Sequence, residues 1–174
     1  MSEEPVIDQK YLDTLQKICE RLSGFQLNWV ITGSIGMALQ GMDIKIHDID
    51  IQTDQYGAYE IAGLFSEYVV KPVHYLASES MRSYFGVLEI EGVKIDIMGD
   101  IQKLLDDQTW EEPVKVEIYK RWVNFENLYV PVLSLEYEYE AYLKLGRIQK
   151  AEKIKNWLDA NRFTKAEEDT DHPE

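Results

Sequence analysis

Residues 45–53 read KIHDIDIQT and alternate strictly. In an extended strand Ile46, Asp48, Asp50 and Gln52 point one way, and His47, Ile49, Ile51 and Thr53 point the other. Asp48 and Asp50 then share a face, about 6 to 7 Å apart along the chain. Two ionised carboxylates that close repel each other, and they persist when solvated, protonated or bridged by cations. Hard divalent cations such as Mg²⁺ take oxygen ligands, often one or two carboxylates together with substrate phosphates. The polar face of an ordinary edge strand is the competing account of the pair. Asp is a poor strand former, so its recurrence here and in a second strand needs a cause.

That second strand lies downstream. Residues 93–98 (VKIDIM) place Asp96 between two isoleucines that face away from it. Paired beside the first strand, this segment would bring Asp48, Asp50 and Asp96 together. Three carboxylates suit a two-metal phosphoryl-transfer site with ions roughly 3.5–4 Å apart. Residues 81–90 read as a further strand, joined to 93–98 by a hairpin turn at Glu91-Gly92.

Upstream, residues 26–32 (QLNWVIT) read as a short strand, and Gly33-Ser34 as the turn into a helix over 35–40. A helix start favours an anion through its free N–H groups and dipole. Gly33 permits close approach of backbone to phosphate, and the Ser34 hydroxyl can donate to a phosphate oxygen. A plain helix cap with tight packing at Gly36 explains the same residues. Ser34 lies 14 residues before Asp48, one short helix away.

The ordered set Gly33-Ser34, Asp48-Ile49-Asp50 and Asp96 resembles the DNA polymerase β-like nucleotidyltransferase superfamily. WVITGSIGMALQG followed by HDIDIQTD looks like its minimal and antibiotic-modifying branch. That branch holds the aminoglycoside and lincosamide nucleotidyltransferases and nucleotidyltransferase-like toxins. The resemblance implies that Gly33 and Ser34 hold a triphosphate tail. It implies that Asp48, Asp50 and Asp96 are catalytic and bind Mg²⁺ or Mn²⁺, Asp96 also serving as general base. A nucleoside triphosphate such as ATP would be the donor. The acceptor hydroxyl would attack the α-phosphorus in line, with pyrophosphate leaving. The segment KLGRIQKAEK resembles the family's Lys…Gly-Arg…Lys-Asp stretch without its final acid, and makes Lys144 and Arg147 candidates for the nucleotide phosphates. Glu140, four residues before Lys144, offers that lysine an ordinary helix ion pair instead.

The rest of the chain frames this set. Asp8 can cap a helix to about Leu22, ended by Ser23-Gly24. Residues 54–68 read as a helix, 114–133 as further strands, and 134–165 as helices broken near Gly146. The expected fold is α+β: a mixed sheet flanked by helices over 1–133, a helical C-terminal segment over 134–165, and a disordered acidic tail over 166–174. That tail holds five acids and neither Lys nor Arg.

With 174 residues and 45% hydrophobic content, one domain with a real core is expected. The net charge of -14 argues against nucleic acid as the partner and suits a cationic acceptor such as an aminoglycoside better. One cysteine, Cys19, excludes an internal disulfide. With no apolar leader and no membrane-length apolar run, a cytoplasmic location is expected. His74 and His172 lack ligand-spaced partners, so zinc is unsupported. The leading expectation is an Mg²⁺-dependent enzyme transferring a nucleoside monophosphate to a small-molecule or protein hydroxyl. A toxin-like enzyme acting on tRNA, and a non-catalytic member binding nucleotide or a partner, are the alternatives. A homodimer, with another subunit building half the cleft, is an arrangement the sequence leaves open.

Overall fold

A computed structural model describes residues 6–170, and side chains up to residue 161. The chain divides into two compact units, one up to Ser134 and one from Leu135.

The first unit is built on a sheet that, among the described residues, runs β3-β4-β5-β2-β1-β7-β6. Helix α1 (Gln9–Leu22) opens it, with Asp8 as N-cap accepting from the Lys10 N–H at 3.2 Å. Strand β1 (Trp29–Thr32) leads into α2 (Gly33–Leu39), and β2 (Ile49–Thr53) into α3 (Gln55–Leu64). Asp54 caps α3, its Oδ1 accepting from Gly57 N–H at 2.7 Å. A 3₁₀ turn (Ser66–Tyr68) precedes β3 (Val69–Ala77), β4 (Met81–Ile90) and β5 (Val93–Lys103). A short helix α4 (Val116–Tyr119) then leads to the hairpin β6 (Lys120–Phe125) and β7 (Leu128–Leu133).

The sheet is mixed: β2–β5 and β1–β7 are parallel, and the remaining pairs antiparallel. Alternation sorts the two faces. Ile31, Ile49, Ile51, Ile95 and Ile97 are fully buried in one cluster with Leu15 and Ile18 of α1 and Ile61 of α3. Each such side chain contributes about 1.5–3 kcal/mol relative to exposure. The face opposite these isoleucines carries Asp50 and Asp96.

In the second unit, α5 (Leu135–Lys144) and α6 (Ile148–Thr170) are separated at Gly146. Gly146 takes φ 73°, while Gly146 N–H donates to Leu143 O at 3.0 Å and Arg147 N–H to Tyr142 O at 2.9 Å. This is a Schellman stop, which needs a left-handed residue that glycine supplies without strain. The backbone of α6 continues to Thr170, through part of the stretch read as an acidic tail. Residues 171–174, His172 among them, lie outside the described residues.

Several local readings are corrected. The strand over 45–53 begins only at Ile49. Its last partner on β1 is Thr32, opposite Asp50, because α2 begins at the next residue and removes the ladder. The preceding strand starts at Trp29 rather than at residue 26. The helix over 54–68 ends at Leu64. Part of 114–133 is the helical turn α4. Strand β3 has no counterpart in the sequence reading: it is mostly exposed, carries Pro72 and lacks alternation.

Candidate functional site

The site is assembled where β1 ends. Thr32 on β1 faces Asp50 on β2, and Asp50 faces Asp96 on β5, so the three form one cross-strand row. Partners in neighbouring strands present side chains to the same face, about 4.8 Å apart between strands. The two acids on the strands are thus neighbours. Asp48 precedes β2 and lies outside the ladder, half-buried. Its charge still reaches Asp96 and raises that carboxyl's pKa.

Gly33 follows Thr32 at once and adopts φ 73°. A Cβ at this position would collide with Asp50 Oδ2, so only glycine lets the turn lie against this carboxylate. Ser34, half-buried, is the second residue of α2. The Gly33-Ser34 turn and Asp50 are therefore one local feature, built by the β1–α2 junction against β2.

Asp96 is the most constrained of the acids. Its side chain is 17% exposed. Its Oδ1 is buried without a hydrogen-bond partner. Lys94 Nζ stands 3.6 Å away, an ion-pair distance beyond good hydrogen-bond range. Burial pushes the Asp96 pKa up, Lys94 pulls it down, and Asp48 pushes it up again. An orphaned, anionic oxygen beside a second acid is a donor set that fits a hard divalent cation. Among the described residues no group of three or more Asp, Glu, His or Cys is gathered tightly enough to ligate one ion. The fit is that of two strand acids, completed by substrate phosphates, with Asp48 adjacent.

Lys144 ends α5 and Arg147 lies in the link before α6, so one continuous helix does not carry both. Both are exposed. They belong to the second unit, whereas the acids and the turn belong to the first.

Two cations near Asp96 were not singled out from the sequence. Lys94 sits two residues before Asp96, and strand alternation alone puts it on the same face. Lys71 on β3 pairs with Val87, which pairs with Asp96, and its charge lowers the Asp96 pKa. Lys71 could not be found that way, because β3 gave no strand signal.

Residues 14–156 match the family model described as aminoglycoside-2''-adenylyltransferase, spanning the turn and all three acids. The chain belongs to the aminoglycoside-2''-adenylyltransferase family. It is accordingly a nucleotidyltransferase-class enzyme, with the α+β nucleotidyltransferase-like fold. Among solved structures, a candidate nucleotidyltransferase from Thermotoga maritima is 53% identical, with a TM-score of 0.79 over 90% of this chain and 97% of that one. A second similar solved structure is that of ANT(2'')-Ia. Its complex with adenylyl-2''-tobramycin has a TM-score of 0.56 at 14% identity, covering 88% of this chain and 92% of that one. At that identity the likeness is one of fold. No curated protein matches the chain. No helix among the described residues is long and apolar enough to cross a membrane.

Proposed function

We propose that the chain transfers the nucleoside monophosphate of an NTP, ATP in the first instance, to a hydroxyl of a small-molecule acceptor. The observation that carries this reading is the row Thr32–Asp50–Asp96, with Gly33 lying against the Asp50 carboxylate. It puts a backbone turn suited to phosphate beside two adjacent acids. Family membership supports the nucleotide as donor.

The residues divide the work. Gly33 and Ser34 hold the triphosphate tail through backbone N–H groups and the Ser34 hydroxyl. Asp50 and Asp96, with Asp48 alongside, hold Mg²⁺ or Mn²⁺, which would supply charge neutralisation of the triphosphate. Asp96 also takes the proton from the acceptor hydroxyl. The hydroxyl oxygen then bonds to the α-phosphorus, and the bond to pyrophosphate breaks. The net charge of -14 disfavours a nucleic-acid acceptor. One chain suffices for this reading, and a homodimer would appear as a doubled mass in solution.

The test uses α-³²P-labelled ATP, Mg²⁺ and a panel of hydroxyl acceptors that includes aminoglycosides and lincosamides. Asp50→Asn and Asp96→Asn should each lower transfer by about 10²-fold or more. NTP binding should weaken at least about tenfold when EDTA removes the metal. Binding that ignores both metal and these substitutions would overturn the metal–triphosphate site. Metal-dependent binding with no label on any acceptor would favour a non-catalytic nucleotide-binding role.

A further inference from the structure

At the opposite end of β1 from the Gly33 turn, the first unit holds a cleft of about 620 Å³. Its walls are the end of α1, the turn from α1 into β1, the start of β1, and the hairpin β6–β7. The β1–β7 pairing that closes the sheet here is short, with Ile31↔Val132 its one register pair. Trp29 and Pro131, just before that pair on their strands, both line the cleft. The size suits a small organic ligand.

The chemistry of the walls is selective. Trp122 and Tyr129 are stacked, with ring centroids 4.7 Å apart and planes within 11°. They are nevertheless 47% and 61% exposed, and Phe25 across the cleft is 49% exposed. Exposed aromatic rings on an edge strand such as β6 invite aggregation, so their retention here calls for a use. A stacked pair presents two rigid ring edges side by side, and a flat π-system can lie across them in edge-to-face contact. Lys120, on the same face of β6, places Nζ 5.4 Å from the Trp122 ring centroid. None of the residues lining the cleft is acidic, in a chain with 32 acids against 18 Lys and Arg. This is a local exception to the molecule's charge. Its cation lies over the Trp122 ring, on the side away from Tyr129.

We propose that this cleft is a second binding site, separate from the nucleotidyl-transfer site, for a planar aromatic molecule carrying a negative charge. The ring of the ligand lies across the exposed edges of Trp122 and Tyr129 and against Phe25. Its anionic group meets Lys120, and Gln26 and Ser23 offer hydrogen bonds at the rim. The inference does not depend on the transfer chemistry.

Three probes of like ring size separate the contributions: 2-naphthalenesulfonate, uncharged 2-naphthylmethanol and cationic 2-naphthylmethylamine. Calorimetry on the full chain should show one site for the sulfonate, binding about tenfold tighter than the alcohol. The amine should bind weakest. Lys120→Met should erase the preference for the sulfonate, and Lys120→Arg should keep it. Trp122→Ala should weaken all three probes. Asp50→Asn should leave sulfonate binding unchanged, which separates this site from the nucleotide site. Equal affinity for sulfonate and alcohol, or a Lys120→Met protein that still prefers the sulfonate, would overturn the proposal. Concentration-dependent dimerisation that disappears in Lys120→Met would overturn it too, because a second copy then covers the cleft.

Discussion

Asp96 faces two demands that pull against each other. Its buried Oδ1 has no hydrogen-bond partner, and Lys94 at 3.6 Å compensates only in part. The folded-state pKa is raised, so the folded chain keeps a proton that the unfolded chain has lost. Metal-free stability therefore falls as the pH rises from the ordinary aspartate range through that raised value. Asp96→Asn should remove this slope. In EDTA at neutral pH it should stabilise the protein by about 1 kcal/mol, read by urea unfolding, while abolishing transfer. A destabilised variant would mean that the carboxylate is structural. Cys19 shows the same physics on α1. Burial, then the charge of Glu20, pushes its thiol up to about 11 from 9.0. Stability should fall between those two pH values by about 2 kcal/mol relative to Cys19→Ala, since only the unfolded thiol ionises there. A difference between the two proteins that stays flat over this window would contradict that burial. At this scale the acids were legible, because alternation in KIHDIDIQT and VKIDIM puts them on polar faces. Lys71 was not, because its nearness to Asp96 exists only across β4.

Helix and turn signals translated well into elements wherever the cause was local. Asp8 caps α1 as a side-chain acceptor must, and Glu91 and Gly92 take φ 49° and 81° to close the β4–β5 hairpin. Gly146 stops α5 by a left-handed conformation that other residues adopt at a cost. Gly146→Ala should lower stability by about 1 kcal/mol, measured by thermal unfolding. Its far-UV spectrum should keep its helix content. No loss of stability would show that α5 ends for another reason. Strand limits read less well. β2 starts four residues later than its alternating pattern suggests: β1 has already turned into α2, and the pairing with β5 begins only at Ile49↔Ile95. Asp48 loses its strand position by that displacement.

For the molecule as a whole, a net charge of -14 puts the folded state under self-repulsion. Raising NaCl from about 20 to about 300 mM in EDTA should raise Tm by roughly 2–4 °C, equivalent to about 1 kcal/mol. A Tm that falls or stays level would mean that the charges are already paired. Adding Mg²⁺ at matched ionic strength should raise Tm further in wild type and less in Asp50→Asn, because only a bound ion stabilises beyond screening. The sequence by itself determined the α+β class, the helix caps and stops and the β4–β5 hairpin, and it offered Asp48, Asp50 and Asp96 as candidates. These follow from periodicity, turn chemistry and composition, which act over a few residues. The tertiary structure alone decided that Asp50 and Asp96 are register partners and that Asp48 is not in the ladder. It also decided that β3 carries Lys71 to the site face and that the end of α1, the start of β1 and the β6–β7 hairpin enclose an aromatic cleft. Those outcomes depend on which strand lies beside which, a long-range choice set by burial of the isoleucine face and not by any local pattern.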